Sequence, residues 1–248
     1  MIKSRRLLNR LLFATLLVAV PGSQALAEFD ASQKAEIGKL VREYLVTHPE
    51  VLEEAMQALE KKRAEERLAS QKLTIKKQAK LLFSSKRQVV LGNPEGDVTL
   101  VEFFDYNCGY CRRALSDLQT LLKTDKNLKV VIKEWPVLGR NSVEAARVSI
   151  ALAQVAPEKY FDFHQKLLSS EGGINGAKAL MVASQIGVDM DKLQTAMKDR
   201  EIIATIEEVH GIATGLGLTG TPSYVVGDQV IGGAVGIDNL KETVASYR

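Results

Sequence analysis

Cys108 and Cys111 are the only two cysteines in 248 residues, with two residues between them in the run Phe103-Phe104-Asp105-Tyr106-Asn107-Cys108-Gly109-Tyr110-Cys111-Arg112-Arg113. A thiol pair at this spacing can carry reversible disulfide exchange, ligation of a soft metal such as Cu(I), or a local structural bridge. The bridge alone contributes little, because the chain-entropy model gives so short a loop only about 2 kcal/mol. Zinc asks for four ligands, whereas His48, His164 and His210 are scattered singly along the chain. Exchange is therefore the leading expectation, with Cu(I) ligation behind it.

The elements around the pair make one sulfur reactive. A β-branched apolar run, Val98-Thr99-Leu100-Val101, leads in, and a helix-period stretch, Ala114, Leu115, Leu118, Leu121 and Leu122, leads out. The cysteines thus sit where a strand hands over to a helix, and the free N–H groups of a helix start favour a thiolate at Cys108. A fall in pKa from about 8.5 to about 5 would raise the thiolate fraction at pH 7 from roughly 3% to roughly 99%. A less basic thiolate is also a weaker nucleophile and a better leaving group, which offsets part of the gain. Cys111 lies one turn further on, within reach of closing a disulfide.

Three further stretches position this centre. Lys3, Arg5, Arg6 and Arg10 precede an apolar run from Leu11 to Val20, then Pro21-Gly22 and Ala25-Leu26-Ala27, the pattern of a secretory signal peptide over residues 1–27. The run is too short to span a membrane. Removing it takes away four of the 33 basic residues and leaves 29 against 30 acidic ones, a balance of −1, so charge makes no case for a nucleic-acid partner. Export also implies an oxidising compartment, where a lone cysteine pair stays reduced only if something reduces it.

Residues 28–60 read as two short helices. Ile37, Leu40, Val41, Tyr44 and Leu45 share one face of the first. Thr47-His48-Pro49-Glu50 is expected to stop it and start the second, with Thr47 as N-cap, Glu50 completing a capping box and His48 a junction residue. The second carries Val51, Leu52, Ala55, Met56 and Leu59, and then loses its apolar face in Glu60-Lys61-Lys62-Arg63-Ala64-Glu65-Glu66-Arg67. Residues 61–87 read as a charged helical linker. Two such helices cannot bury their faces as an isolated pair and need either the main domain or copies of themselves; the charged spacer favours self-association over packing in cis.

From residue 88 strands and helices alternate. Strands are expected at Val89–Leu91, Val98–Asp105 and Leu128–Trp135, and a hairpin at Ser223–Val226 and Gln229–Ile231 before a last helix over Asn239–Tyr247. Between them, about 142–217, only helices are read: 142–155, 158–169, 176–186, 189–199 and 201–215. This is an α/β chain with a β-α-β unit, a ββα unit and a helical domain inserted between them.

Glu102-Phe103-Phe104-Asp105-Tyr106-Asn107-Cys108-Gly109-Tyr110-Cys111, Lys133-Glu134-Trp135-Pro136-Val137-Leu138-Gly139 and Gly220-Thr221-Pro222 together resemble the DsbA-like secreted thiol–disulfide oxidoreductases over about residues 88–248. Tyr44-Leu45, Pro49-Glu50-Val51-Leu52 and Ala55-Met56 are similar to the N-terminal oligomerisation region of the ScsC-type branch, which is linked to copper tolerance. The resemblance implies a thioredoxin fold with an inserted helical domain, preceded by an N-terminal helical oligomerisation segment. It also implies Cys108 as nucleophile, Cys111 as resolving thiol and a cis Pro222 facing them. Thr221, Pro222, Gly109 and Tyr110 would then contact the client, the Thr221 backbone pairing with an extended segment beside the Cys108 sulfur.

Glu102 matches the buried carboxylate that accepts the proton of the resolving cysteine; from the strand pattern alone, a solvent-facing edge residue is the alternative. The dipeptide Gly109-Tyr110 and Thr before the proline resemble the isomerase DsbC, whereas strong oxidants of the family carry Pro-His between their cysteines. The implied function is periplasmic disulfide isomerisation or reduction. A disulfide-introducing oxidase and a Cu(I)-binding protein using the same cysteines are the alternatives. Misfolded or disulfide-bonded exported proteins are the implied clients, with a membrane-bound redox partner and a homo-oligomer, dimer or trimer, and neither cofactor nor resident metal is expected.

Overall fold

The computed structural model describes residues 29–248, and the expected signal peptide lies outside them. The chain divides into two compact units, one ending at Ala58 and one beginning at Leu59.

In the first unit, helix α1 (Ala31–Thr47) starts at a reciprocal cap: Asp30 Oδ1 accepts from the Gln33 N–H at 2.8 Å, and Gln33 Oε1 accepts from the Asp30 N–H at 3.0 Å. None of its side chains is buried. Thr47 is the last residue of α1 and does not cap the next helix; its hydroxyl donates back to the Glu43 and Tyr44 carbonyls at 2.8 and 3.2 Å. The break falls one residue later, because Pro49 disfavours helical backbone at His48, which adopts φ −130° and ψ 65°. The imidazole of His48 stacks on Tyr44, as suits a junction residue. Helix α2 runs over Glu50–Phe83.

The second unit is built on a five-stranded sheet ordered β1-β3-β2-β4-β5, with β1 (Val89–Gly92), β2 (Val98–Phe104), β3 (Leu128–Glu134), β4 (Ser223–Val226) and β5 (Gln229–Gly232). Strands β2 and β3 are parallel, joined by α3 (Gly109–Thr124), and the other pairings are antiparallel. Both central strands are buried along nearly their whole length because both of their faces are covered. On one face Leu100, Phe104, Val130 and Ile132 pack with Leu115, Leu118 and Leu121 of α3 and with the helical insertion. On the other, Val101, Phe103 and Val131 pack with Ile75 and Leu82 of α2 and Val209, Ile212 and Ala213.

The charged stretch of α2, residues 60–67, is exposed throughout, whereas its last turns are docked. Lys133, buried in β3, donates to the Leu81 carbonyl at 2.6 Å and to Gln88 Oε1 at 3.1 Å, and Lys129 donates to the Phe83 carbonyl at 3.2 Å. Two strand lysines thus satisfy carbonyls that the helix end leaves open. The insertion consists of α4 (Arg140–Val155), α5 (Tyr160–Leu168), α6 (Gly176–Gln185), α7 (Met190–Ala196) and α8 (Arg200–Gly215), with a 3-10 turn at Pro157–Lys159 where the sequence suggests the start of a helix. Helix α9 (Ile237–Ala245) closes the unit.

Candidate active site

The thiol centre is assembled where β2 ends. Phe104 is the last strand residue, Asp105 turns the chain, and Cys108 caps α3 with extended backbone at φ −79° and ψ 114°. The Cys108 N–H donates to the Asp105 carbonyl at 3.0 Å. Cys108 is 7% exposed and Cys111 1%, both as free thiols, so the Cys108 sulfur lies less open than a bare helix start suggests.

The two sulfurs are pushed in opposite directions. The Cys108 thiol is lowered from 9.0 to about 5, first by a hydrogen bond from Cys111 and then by donors at Thr221 and the Cys111 and Tyr110 amides, against burial. These amides belong to the first turn of α3, so the helix start adds to a stabilisation led by the Cys111 thiol and Thr221. The Cys111 thiol moves up, because its proton is held by the Cys108 sulfur and because it is buried. Ionised Cys108 beside protonated Cys111 is the state required for attack by one sulfur and later resolution by the other.

The Thr221-Pro222 peptide bond is cis. The Thr221 carbonyl accepts from the neutral Cys108 thiol at 3.1 Å, which brings the loop before β4 against the sulfur from 113 residues away. Gly109 and Tyr110 open α3, and the exposed Tyr110 ring lies 4.2 Å beneath the Arg113 guanidinium, so Arg113 engages the ring rather than the sulfur.

Glu102 points to the same face as Leu100 and Phe104, into the core, and is 4% exposed; the edge alternative is excluded. Its Oε2 has no hydrogen-bond partner among the described residues, and burial followed by the nearby Asp117 charge raises its carboxyl from 4.5 to about 8. Tyr224, paired with Glu102 across β2 and β4, is raised by burial and then by charge on Glu102, Cys111 and Asp117, so these groups share one neighbourhood.

Two features have long-range partners that the sequence does not signal. Glu134, at the end of β3, accepts from the Ser149 hydroxyl at 2.6 Å and from the Tyr160 hydroxyl at 3.0 Å, and Tyr106 meets Ser149 at 2.8 Å, so a buried polar chain ties the cysteine turn to the insertion. Burial raises Glu134 to about 8 and lowers His164, stacked on Tyr160, to about 3. The second is the carboxylate of Asp105, buried and fully engaged by backbone amides. An Asp at the head of a turn signals its local bond to the Asn107 N–H, but not its long-range partners.

A family model described as "DSBA-like thioredoxin domain" matches residues 99–245, more than half of the chain. The chain belongs to the DSBA-like thioredoxin family. A second model, "Copper resistance protein ScsC N-terminal domain", matches residues 33–66. A thioredoxin-like oxidoreductase from Silicibacter pomeroyi is 43% identical, with 67% of this chain and 95% of that one covered at a TM-score of 0.64. ScsC of Proteus mirabilis in a compact conformation is 28% identical, with 86% and 96% covered at a TM-score of 0.66. Disulfide bond formation protein D of Bacillus subtilis is 26% identical over 171 residues, 65% of this chain and 77% of that protein.

The Na(+)/H(+) antiporter NhaA 1 of Salinispora arenicola is 28% identical over 163 residues, and there this chain spans only 24% of the relative's length. Among the described residues no helix is long and apolar enough to cross a membrane. The comparisons support thiol–disulfide oxidoreduction of the DsbA and ScsC type for the DSBA-like domain.

Proposed function

We propose that this chain is a periplasmic thiol–disulfide isomerase and reductase acting on exported proteins, with Cys108 as nucleophile, Cys111 as resolving thiol and Glu102 as proton acceptor. The observation that carries the reading is the division of labour between the sulfurs: Cys108 is pulled down to about 5 at the start of α3, while Cys111 behind it is pushed up.

The Cys108 thiolate attacks one sulfur of a wrong client disulfide. A Cys108–client bond forms, the client bond breaks, and the second client sulfur leaves as a thiolate. If a client thiolate then attacks the mixed disulfide, a new client disulfide forms and Cys108 leaves unchanged, with no net oxidation. If the client stalls, Cys111 gives its proton to Glu102 and attacks the Cys108 sulfur; the client leaves reduced, and the pair is left as a disulfide that a membrane-bound reductant must reopen. Glu102 at about 8 is ionised in about one molecule in ten at pH 7, close enough to balance for exchange in either direction. Thr221, whose carbonyl meets the Cys108 sulfur, the cis Pro222 after it, and Gly109 and Tyr110 at the start of α3 are read as the client contacts.

Three further features support the reading. Gly109-Tyr110 places no imidazole between the cysteines, which removes one donor that would stabilise the thiolate and make the disulfide more oxidising. The apolar faces of residues 28–60 support a homo-oligomer, in which several thiolates surround one client at raised effective concentration. The structural relative from Salmonella enterica serovar Typhimurium is described as a periplasmic thioredoxin-like protein, in keeping with export.

The match to a copper-resistance N-terminal domain favours a second reading, in which the same two thiolates hold Cu(I). The test runs three assays on the mature chain: reactivation of a scrambled client, oxidation of a reduced client, and Cu(I) titration with and without prior thiol blocking. Rapid reactivation with slow oxidation is expected. Rapid oxidation with no reactivation would replace the reading with an oxidase, and tight thiol-dependent copper binding with neither activity would replace it with a copper carrier.

A further inference from the structure

Asp105 makes an unusual set of bonds for a surface-turn residue. It is 2% exposed and meets no cation in any described ion pair; its carboxylate is held by three backbone amides. Oδ1 accepts from the Asn107 N–H at 2.8 Å, and Oδ2 accepts from the Val137 and Leu138 N–H groups at 2.8 and 2.9 Å. The backbone of the same residue serves the cysteine turn, its carbonyl accepting from the Cys108 N–H at 3.0 Å. One residue therefore holds the cysteine turn and the loop between β3 and α4.

That loop is fastened in an unusual way. Pro136 is half-buried and the Val137 and Leu138 side chains are exposed, at 41% and 55%, so no side chain beyond Trp135 anchors the loop in the core. A loop pinned only by its backbone, with two apolar side chains turned to solvent, is held still for something other than packing. Bonds to a buried carboxylate are among the stronger ones, and fixing a contact loop before binding removes an ordering cost from association.

We propose that Asp105 is a positioning residue that yokes the Val137–Leu138 lip to the Cys108–Cys111 turn. In this arrangement the lip takes an apolar side chain of the client next to its disulfide while the Cys108 sulfur is aimed at that disulfide. The occupant is an extended, unfolded client segment with a large aliphatic or aromatic residue near its cysteine, of the kind that a correctly folded client keeps buried. This selects misfolded clients over folded ones and over small disulfides. The inference rests on Cys108 being the attacking thiol proposed above, and it holds whichever way the redox cycle runs.

The test uses the full mature chain, reduced, with two substrates: glutathione disulfide and a peptide with one disulfide flanked by Leu and Phe. Each reacts in the same step, in which the Cys108 thiolate joins one substrate sulfur and the other leaves as a thiolate. Asp105→Asn turns an amide N–H₂ or a weaker acceptor toward the loop amides. It is expected to raise the KM for the peptide about tenfold more than that for glutathione disulfide and to raise hydrogen exchange at the Val137 and Leu138 amides about tenfold or more.

Val137→Ser combined with Leu138→Ser leaves the backbone bonds in place. It should raise the peptide KM by a similar factor with kcat little changed and with loop exchange as slow as in the parent. If Asp105→Asn fails to fold, slow exchange of the two amides in the parent and the KM change in the double variant decide the matter. Equal losses on both substrates in Asp105→Asn, or an unchanged peptide KM in the double variant, would overturn the proposal. A parent chain that forms no mixed disulfide with either substrate would overturn the function itself and the lip with it, whereas fast amide exchange in an active parent would overturn only the anchoring.

Discussion

Helices α1 and α3 have almost the same length, 17 and 16 residues, and both carry apolar side chains at helical spacing, yet they end in opposite circumstances. Helix α3 buries Cys111, Ala114, Leu115, Leu118 and Leu121, whereas α1 buries nothing and leaves Ile37, Leu40, Val41 and Tyr44 exposed. The pattern that makes a helix amphipathic does not say where the partner of its face will come from. For α3 the partner is the sheet of the same unit. For α1 the account assigns further copies of the same segment, since each large apolar side chain contributes about 1.5–3 kcal/mol when fully buried. Chemistry and assembly are thereby given to different helices, and that division can be broken by experiment.

The largest effect is expected at the start of α3. Cys108→Ala should lower exchange with any disulfide by about three orders of magnitude or more, whereas Cys111→Ala should attack normally and accumulate mixed disulfides visible on non-reducing gels. Neither should alter assembly. Deleting residues 28–60 is the converse experiment. Light scattering should then report a monomer that still reacts with a small disulfide, but reactivation of a multiply disulfide-bonded client should fall by most of its value. A monomer both before and after the deletion would remove self-association from the account.

A matched pair of substitutions sharpens the contrast in stability. Leu118→Ala, in the core, should cost about 2–5 kcal/mol in denaturant unfolding, and Leu40→Ala, in α1, should fall within about 0.5 kcal/mol for the catalytic unit while weakening association. Glu102→Gln should be milder still, slowing release of the client by about tenfold while leaving mixed-disulfide formation near its parent rate in stopped flow.

A pH titration reads the start of α3 alone. Thiolate absorbance of the reduced chain should fall as pH drops through about 5. Because this folded value lies below the ordinary 9.0, ionisation of Cys108 stabilises the reduced protein fully above about 9 and loses that contribution as pH falls to 5. Cys111 is shifted the other way, so it opposes this only above its ordinary value.

Local pattern carried much of this into the sequence. The apolar runs of β2 and β3, the helix period after Cys111 and the hairpin turn at Gly227-Asp228 each depend on neighbours a few residues apart, and each lies where expected. Glu102 was legible through the resemblance and not through the strand pattern, which left a solvent-facing edge open until the fold placed it in the core beside Leu100 and Phe104. Thr47 misled because a Thr before His-Pro-Glu has the composition of an N-cap, while its hydroxyl finds better acceptors in the preceding turn.

The bonds of Asp105 to residues 137 and 138, and of Glu134 to Ser149 and Tyr160, join segments that meet only in the folded chain. No spacing rule reaches across them. The docking of α2 through Lys133 was hidden for a related reason: a lysine in a strand reads as solvent-facing until the helix end that needs its donors is in place.

The central claim is that the pair works from its reduced state. Rapid acid quenching of intact cells, followed by alkylation of free thiols and a mobility-shift gel, reads the state of Cys108 and Cys111 directly. Most of the chain should carry two modified thiols in unstressed cells; a population found almost wholly as the Cys108–Cys111 disulfide would make the protein an oxidase instead.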